Sequence, residues 1–203
     1  MNEHIDLGNE EHNDEHLQWK TGVRVLGVAE SFQKNEIKSH VSGVIMRGDL
    51  RVDGFGFCMP TVGGKDASEE LLRMFNRISR DDIRAWMVGG SVVSWFNIID
   101  INLLYSETGV PVACVSYEDS EGIDKYIKEY FPEDYQERIE ILSSMGDRTK
   151  IRLKSGFDVY VLTAGMSTRS ANNLLNLFTL DGKVPEPIRV ARLLSSTFRE
   201  HFH

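Results

Sequence analysis

Three carboxylates in this sequence stand where they could do chemistry. Glu30 closes an apolar, strand-like run, Asp66 immediately precedes a helical run, and Asp100 lies inside residues 96–101 (FNIIDI). Carboxylate oxygens are hard ligands that suit divalent cations such as Mg2+. Asn97 falls about one turn before Asp100, so a helix there would turn both toward one cleft. Each acid also has an ordinary role open to it: an exposed charge at a strand end for Glu30, a helix N-cap for Asp66, and dipole stabilisation early in a helix for Asp100. The candidate cations are Lys65, after Gly63 and Gly64, and the pair Arg189 and Arg192. Lys65 lacks the full glycine and Ser/Thr spacing of a phosphate loop. Arg189 and Arg192 are three apart and share a helical face, for phosphate contact or for an ion pair with a nearby acid. Asp53, before Gly54, reads as a bulge or edge residue, and His40 begins the second strand as a lone histidine, a type that is usually not catalytic.

The elements that must position these groups follow from hydrophobic period. Residues 23–30 (VRVLGVAE), 40–47 (HVSGVIMR) and 50–62 read as three strands with short links, which favours an antiparallel meander. The period then changes to helical over 66–78, where Asp66 and Glu69 resemble a capping box. A strand at 83–88 (IRAWMV) ends at Gly89-Gly90, a helix is expected at 95–108 with Gly109 as its stop, and a strand follows at 110–117. Helices at 121–131 and 133–144, a strand pair at 149–153 and 158–163, and helices at 167–180 and 187–202 complete the chain. Three antiparallel strands, then alternating helices and strands, is the element order of a ribonuclease-H-like fold. The expected class is α/β, a mixed sheet of three antiparallel strands followed by parallel strands, with helices on both faces.

Composition bounds the function. The chain has 203 residues, 41% hydrophobic and 9% aromatic, enough for one cored domain over 20–203. No apolar run approaches the roughly 20 residues that cross a bilayer, and residues 1–19 are acidic and polar, so a flexible tail and a cytoplasmic location are expected, with no membrane partner. His4, His12 and His16 in that tail are too widely spaced for a metal site. Cys58 and Cys114 sit in apolar runs and read as buried free thiols. The net charge of −8 argues against nucleic acid until its distribution is seen. Glu3, Asp6, Glu10, Glu11, Asp14 and Glu15 lie within residues 1–16, and the remainder is near −2. Two basic stretches, around 148–154 and 183–199, can then form a local phosphate-binding face or two solvated faces.

Several segments resemble the archaeal endonuclease-V-like family once catalogued as domain of unknown function ninety-nine, also called endonuclease dU. They are residues 25–28 (VLGV), 61–68 (TVGGKDAS), 96–101 (FNIIDI), 108–112 (TGVPV) and 182–191 (GKVPEPIRVA). The resemblance implies a ribonuclease-H-like fold and relatives that cut DNA or RNA near deaminated bases with Mg2+. It makes Glu30, Asp66 and Asp100 the catalytic candidates, Glu30 and Asp66 the metal ligands, and Lys65, Asn97, Arg189 and Arg192 the nucleic-acid contacts. Two departures stand against it. The family carries an acid two places after the first-strand glycine, where this chain has Ala29, and Asp-Gly after the fourth strand, where this chain has Gly89-Gly90. Neither Ala29 nor Gly89 can hold a cation through a side chain, and on a regular strand Glu30 points to the opposite face from position 29.

Three functions are consistent with this reading. The chain is a divergent Mg2+-dependent nuclease for deaminated or damaged nucleic acid, a catalytically lapsed module that binds nucleic acid or protein, or a small-molecule or phosphate binder using its glycine loops. Trp86, Trp95 and Phe96 flank Gly89-Gly90 and either stack on a base or belong to the core.

Overall fold

The computed structural model describes residues 19–118 and 123–201. Strands β1 (Arg24–Ser31), β2 (His40–Arg47) and β3 (Val52–Cys58) form the expected antiparallel meander. After them come α1 (Ala67–Ile78), β4 (Ile83–Val88), the two short strands β5 (Val92–Val93) and β6 (Asn97–Ile98), α2 (Ile101–Thr108) and β7 (Val112–Ser116). Helices α3 (Ile123–Tyr130) and α4 (Tyr135–Ser144), strands β8 (Thr149–Arg152) and β9 (Asp158–Ala164), and helices α5 (Thr168–Phe178) and α6 (Glu186–His201) close the chain. The seven-stranded sheet has the order β3-β2-β1-β4-β7-β9-β8. β4 runs parallel to β1 and to β7, while β9 returns antiparallel to β7 and β8. This is the mixed, ribonuclease-H-like α/β sheet that the element order implied. Residues 1–18, with His4, His12 and His16, lie outside the described residues, whereas Trp19, at the end of the expected tail, donates its indole N–H to the Ser170 carbonyl at 2.9 Å. No helix among the described residues is long and apolar enough to cross a membrane.

The central strands are buried on both faces, and the period of two along them sorts their residues between two cores. Leu26 and Val28 of β1 join Trp86 and Val88 of β4 under α1 and α2. Val25 and Ala29 join Ala85 and Met87 under α5 and α6, with Leu174, Phe178 and Ile188. At Gly27 the first turn of α6 comes so close that a Cβ there would stand 2.3 Å from Pro187 Cβ. Only glycine permits that approach.

Two expectations are corrected, and one is met in detail. Residues 95–98 are not helical. They belong to a small β5–β6 hairpin in which Ser94, Trp95 and Phe96 all have left-handed backbone, at φ 45°, 56° and 64°. The helix begins only at Ile101, where the Asp100 carboxylate accepts the Asn102 and Leu103 amides as its cap. Asp66 stands at the N-cap of α1 without a side-chain cap bond, because its carboxylate turns back to Thr61. The Ala67 amide goes instead to Asn97 Oδ1 at 3.0 Å. Asp53 is the extra residue of a bulge: Ile45 pairs Gly54 and Met46 pairs Val52. It ion-pairs with Arg24 at 2.6 Å.

Candidate functional site

The carboxyl ends of parallel strands are where α/β sheets place ligands. Here those ends are Glu30 on β1 and Gly89-Gly90 after β4. Ala29 and Gly89 lie side by side: a Cβ built on Gly89 falls 3.9 Å from Ala29 Cβ. That same Cβ would stand 2.9 Å from Ile188 Cγ2 and 3.2 Å from the Val28 carbonyl oxygen. The two positions where the resemblance expects acids are therefore adjacent, apolar and covered by α6. Ala29 is only 5% exposed.

Glu30 points to the other face, as strand alternation requires. Its oxygens accept the Ser94 amide at 2.8 and 2.7 Å, and Oε2 also accepts the Ser94 hydroxyl at 2.7 Å. Burial raises its pKa above the ordinary range, against the opposing effect of the Ser94 bonds. Asp66 is also engaged. It accepts Thr61 N at 2.9 Å, Thr61 Oγ1 at 2.7 Å and Asn97 Nδ2 at 2.8 Å, with Lys38 Nζ at 3.5 Å. Burial pushes its pKa up, but the bonds from Thr61 and Asn97 and the charge of Lys38 outweigh it and hold the carboxyl below the ordinary range.

A divalent cation needs several hard oxygen ligands converging on one point. Among the described residues, no group of three or more His, Cys, Asp or Glu stands where it could hold one. Glu30 is bound to Ser94, Asp66 to Thr61 and Asn97, and Asp100 caps α2. Glu30 and Asp66 are linked through one segment, residues 94–97, but by different side chains. A cation drawing on either acid would have to displace hydrogen bonds that shape the fold, and Ala29 and Gly89 offer no oxygen through their side chains. The set as it stands does not fit a carboxylate metal centre.

The remaining candidates are placed as follows. Asn97 is fully buried and donates to the Thr61 carbonyl and to Asp66, which ties the hairpin to α1. Lys65 ion-pairs with Glu137 at 2.6 Å. Arg189 pairs with Glu186 at 2.5 Å, the intramolecular alternative for that residue. Arg192 is exposed, with its guanidinium 5.8 Å from the Tyr117 ring.

Two hollows flank the strand ends. One is a cleft of about 680 Å³ lined by residues 89–92 with Ser116, Tyr117, Arg148 and Arg192. Arg148 donates there to Ser116 Oγ and the Glu118 carbonyl, both at 3.3 Å. The second is a groove of about 430 Å³ walled by Phe32, Lys34, Trp95, Phe96, Tyr126 and Tyr130, with Glu30 on its lining. Trp86 is wholly core, whereas Trp95 and Phe96 are half-buried in that groove wall. Cys114, beside the cleft, and Cys58 are buried free thiols whose pKa burial pushes up to about 12, so neither is a nucleophile at neutral pH.

Sequence reasoning missed Ser94, Arg138 and the α3 tyrosines. Arg138 is 3% exposed and donates to the carbonyls of Gly63, Gly64 and Phe96 while paired with Asp134. It locks the Gly63-Gly64 turn to the hairpin. Nothing local marks it, because it sits among charged neighbours on an ordinary helix. Tyr126 and Tyr130 did carry a signal, since they share the apolar stripe of α3, but that stripe reads equally as core.

Known proteins share the sequence pattern and the fold of this chain. Residues 21–199 match the endonuclease dU family. A UPF0215 protein of Pyrobaculum calidifontis is 38% identical over 177 residues, covering 87% of this chain and 97% of the relative. The crystal structure of a protein of unknown function from Archaeoglobus fulgidus superposes with a TM-score of 0.76 at 28% identity, covering 87% of this chain and 98% of that one. A Ciona intestinalis endonuclease V, solved in complex with inosine-containing DNA, has the same fold at a TM-score of 0.59 and 13% identity, covering 89% of this chain and 87% of that one. The chain belongs to the endonuclease dU family.

Proposed function

We propose that this chain is a nucleic-acid-binding member of its family that works without the paired central carboxylates of a metal-dependent nuclease. The observation that carries this reading is the packing at positions 29 and 89, which lie side by side with Ile188 of α6 against position 89. Cleavage by such folds relies on cations held by carboxylates at those strand ends. Binding needs only cations and rings, and both hollows beside the strand ends have them: Arg148 and Arg192 in one, Lys34 and the aromatic wall in the other. The likeness to a DNA-bound endonuclease V supports DNA or RNA as the partner. The overall charge of −8 does not oppose it, because six of the acids fall within residues 1–16.

The test is binding of a labelled single strand and a labelled duplex across a salt series. Affinity is expected to fall with salt by about 0.7–0.9 log units per decade for each phosphate contacted. The Arg148→Ala/Arg192→Ala variant should bind more weakly and with a shallower slope. No binding to either form at low salt would overturn the proposal.

A second reading keeps Mg2+-dependent cleavage of deaminated or damaged nucleic acid, as in repair. It is favoured by one observation, the match of residues 21–199 to the endonuclease dU family. Product formed from a uracil- or hypoxanthine-bearing strand only when Mg2+ or Mn2+ is present would favour it over the first.

A further inference from the structure

The groove between the β5–β6 hairpin and α3 has features that a structural role does not explain. Ser94, Trp95 and Phe96 are three consecutive non-glycine residues with left-handed backbone, a conformation that side chains other than glycine rarely adopt. They are held there from two sides, by Glu30 on Ser94 and by Arg138 on the Phe96 carbonyl. The Trp95 indole N–H is buried with no hydrogen-bond partner among the described residues. Strain and an orphaned donor persist only where surrounding structure enforces them, and such places concentrate at ligand sites.

What is enforced is a set of rings. Trp95 lies 5.7 Å and Phe96 6.1 Å from the Tyr130 ring, centroid to centroid, with Phe96 and Tyr130 within 26° of parallel. Tyr126 and Tyr130 are nevertheless 50% and 44% exposed, so the ring surface is offered to solvent. Lys34 Nζ stands 5.5 Å from the centroids of both Trp95 and Tyr130. Flat π-faces beside one ammonium match the two parts of a nucleotide, a base that stacks and a phosphate that carries charge. An aromatic-lined groove also suits a proline-rich peptide, but such a peptide brings no phosphate to meet the Lys34 ammonium. The groove adjoins Glu30 and Val92, so it continues from the strand ends to which nucleic-acid binding is assigned above.

We infer that the groove formed by Trp95, Phe96, Tyr126 and Tyr130 is a stacking site for an unpaired nucleobase, with Lys34 at its rim contacting the adjoining phosphate. The inference rests on the nucleic-acid reading above and adds the form of the ligand. A base inside a duplex has no free face for these rings. A single-stranded or extruded base does, and stacking accepts every base because every base has a π-face.

The experiment compares two labelled single strands of equal length and charge, one of thymidines and one abasic throughout, binding to the full chain. Wild type is expected to bind the thymidine strand about 10-fold more tightly or better. Tyr126→Ala/Tyr130→Ala should bring the two strands to within a factor of about 2. Tyr126→Phe/Tyr130→Phe should restore the preference, because the rings stack without their hydroxyls. Both tyrosines are exposed, so circular dichroism and the unfolding midpoint are expected to stay at wild-type values. Equal binding of the two strands by wild type overturns the inference and leaves nucleic-acid binding standing. A thymidine preference that survives in the alanine variant overturns it also, and assigns base contact elsewhere. Failure of wild type to bind either strand overturns the inference, and the nucleic-acid reading falls with it only if a duplex also fails to bind at low salt.

Discussion

Glu30 and Ser94, 64 residues apart in the chain, are joined by the Ser94 amide and hydroxyl donating to one carboxylate at 2.7–2.8 Å. The acid that the family resemblance marks as a metal ligand serves here as the anchor of a left-handed hairpin. Its neighbour Ala29 faces the opposite core, so Glu30 cannot take the place of an acid at 29 without the strand turning over. The hairpin that Glu30 holds is also the wall between the two hollows.

The titration of Glu30 gives a signed prediction. Burial raises its native pKa, so ionisation in the native state opposes folding. Its stability contribution is fully present below the ordinary value of 4.5 and is lost as pH rises through the raised value. Glu30→Gln does not ionise. Wild type should therefore lose stability relative to Glu30→Gln as pH rises from below 4.5 through the raised value, read from urea midpoints. A gain by wild type over that range would contradict the assignment.

Asp66 has the opposite sign. Thr61, Asn97 and Lys38 together hold its pKa below the ordinary 3.8 despite burial. The stability it brings is present above 3.8 and disappears as pH falls through the lowered value. Asp66→Asn should be less stable than wild type by about 1 kcal/mol at neutral pH, an amount limited by partial solvent access. That gap should close as the solution is acidified below 3.8, and acid titration of both proteins followed by circular dichroism measures it.

Arg138→Met should be among the most damaging single changes. It leaves the carbonyls of Gly63, Gly64 and Phe96, and the Asp134 carboxylate, without their shared donor. Removing one partner from a buried charged network costs about 3–5 kcal/mol. Arg138→Lys should recover little, because one ammonium cannot reproduce a planar fork. Chemical denaturation reads both.

Gly27→Ala tests the closeness of α6 to β1. The added methyl would meet Pro187 Cβ, C and O at 2.3–2.7 Å, two of them backbone atoms that cannot rotate away. A loss of at least about 2 kcal/mol is expected from overpacking. Near-wild-type stability would show that the start of α6 yields readily.

Much of the fold was legible in the sequence because its signals are local. The change of period at residue 66, the Gly109 stop after α2 and the Asp53-Gly54 bulge all depend on neighbours in the chain. The alternation of β1 likewise placed Glu30 opposite Ala29. The hairpin at 92–98 was not legible, because its conformation is set by Glu30 and Arg138, which lie far from it in sequence. Asp66 and Asn97 looked like separate site candidates for the same reason: their bond to each other joins residues 31 apart. Arg189 shows the limit from the other side. Its spacing from Glu186 made an ion pair available, and spacing alone did not choose between that acid and a phosphate.

The central claim is binding without metal-dependent cutting, and one assay addresses both halves. Wild type is incubated with labelled DNA and RNA strands, with and without uracil or hypoxanthine, in Mg2+ or Mn2+, and bound fraction and product are read from the same samples. The account predicts salt-sensitive binding and no product in any of them. Metal-dependent product that disappears in Glu30→Gln while binding persists would contradict it.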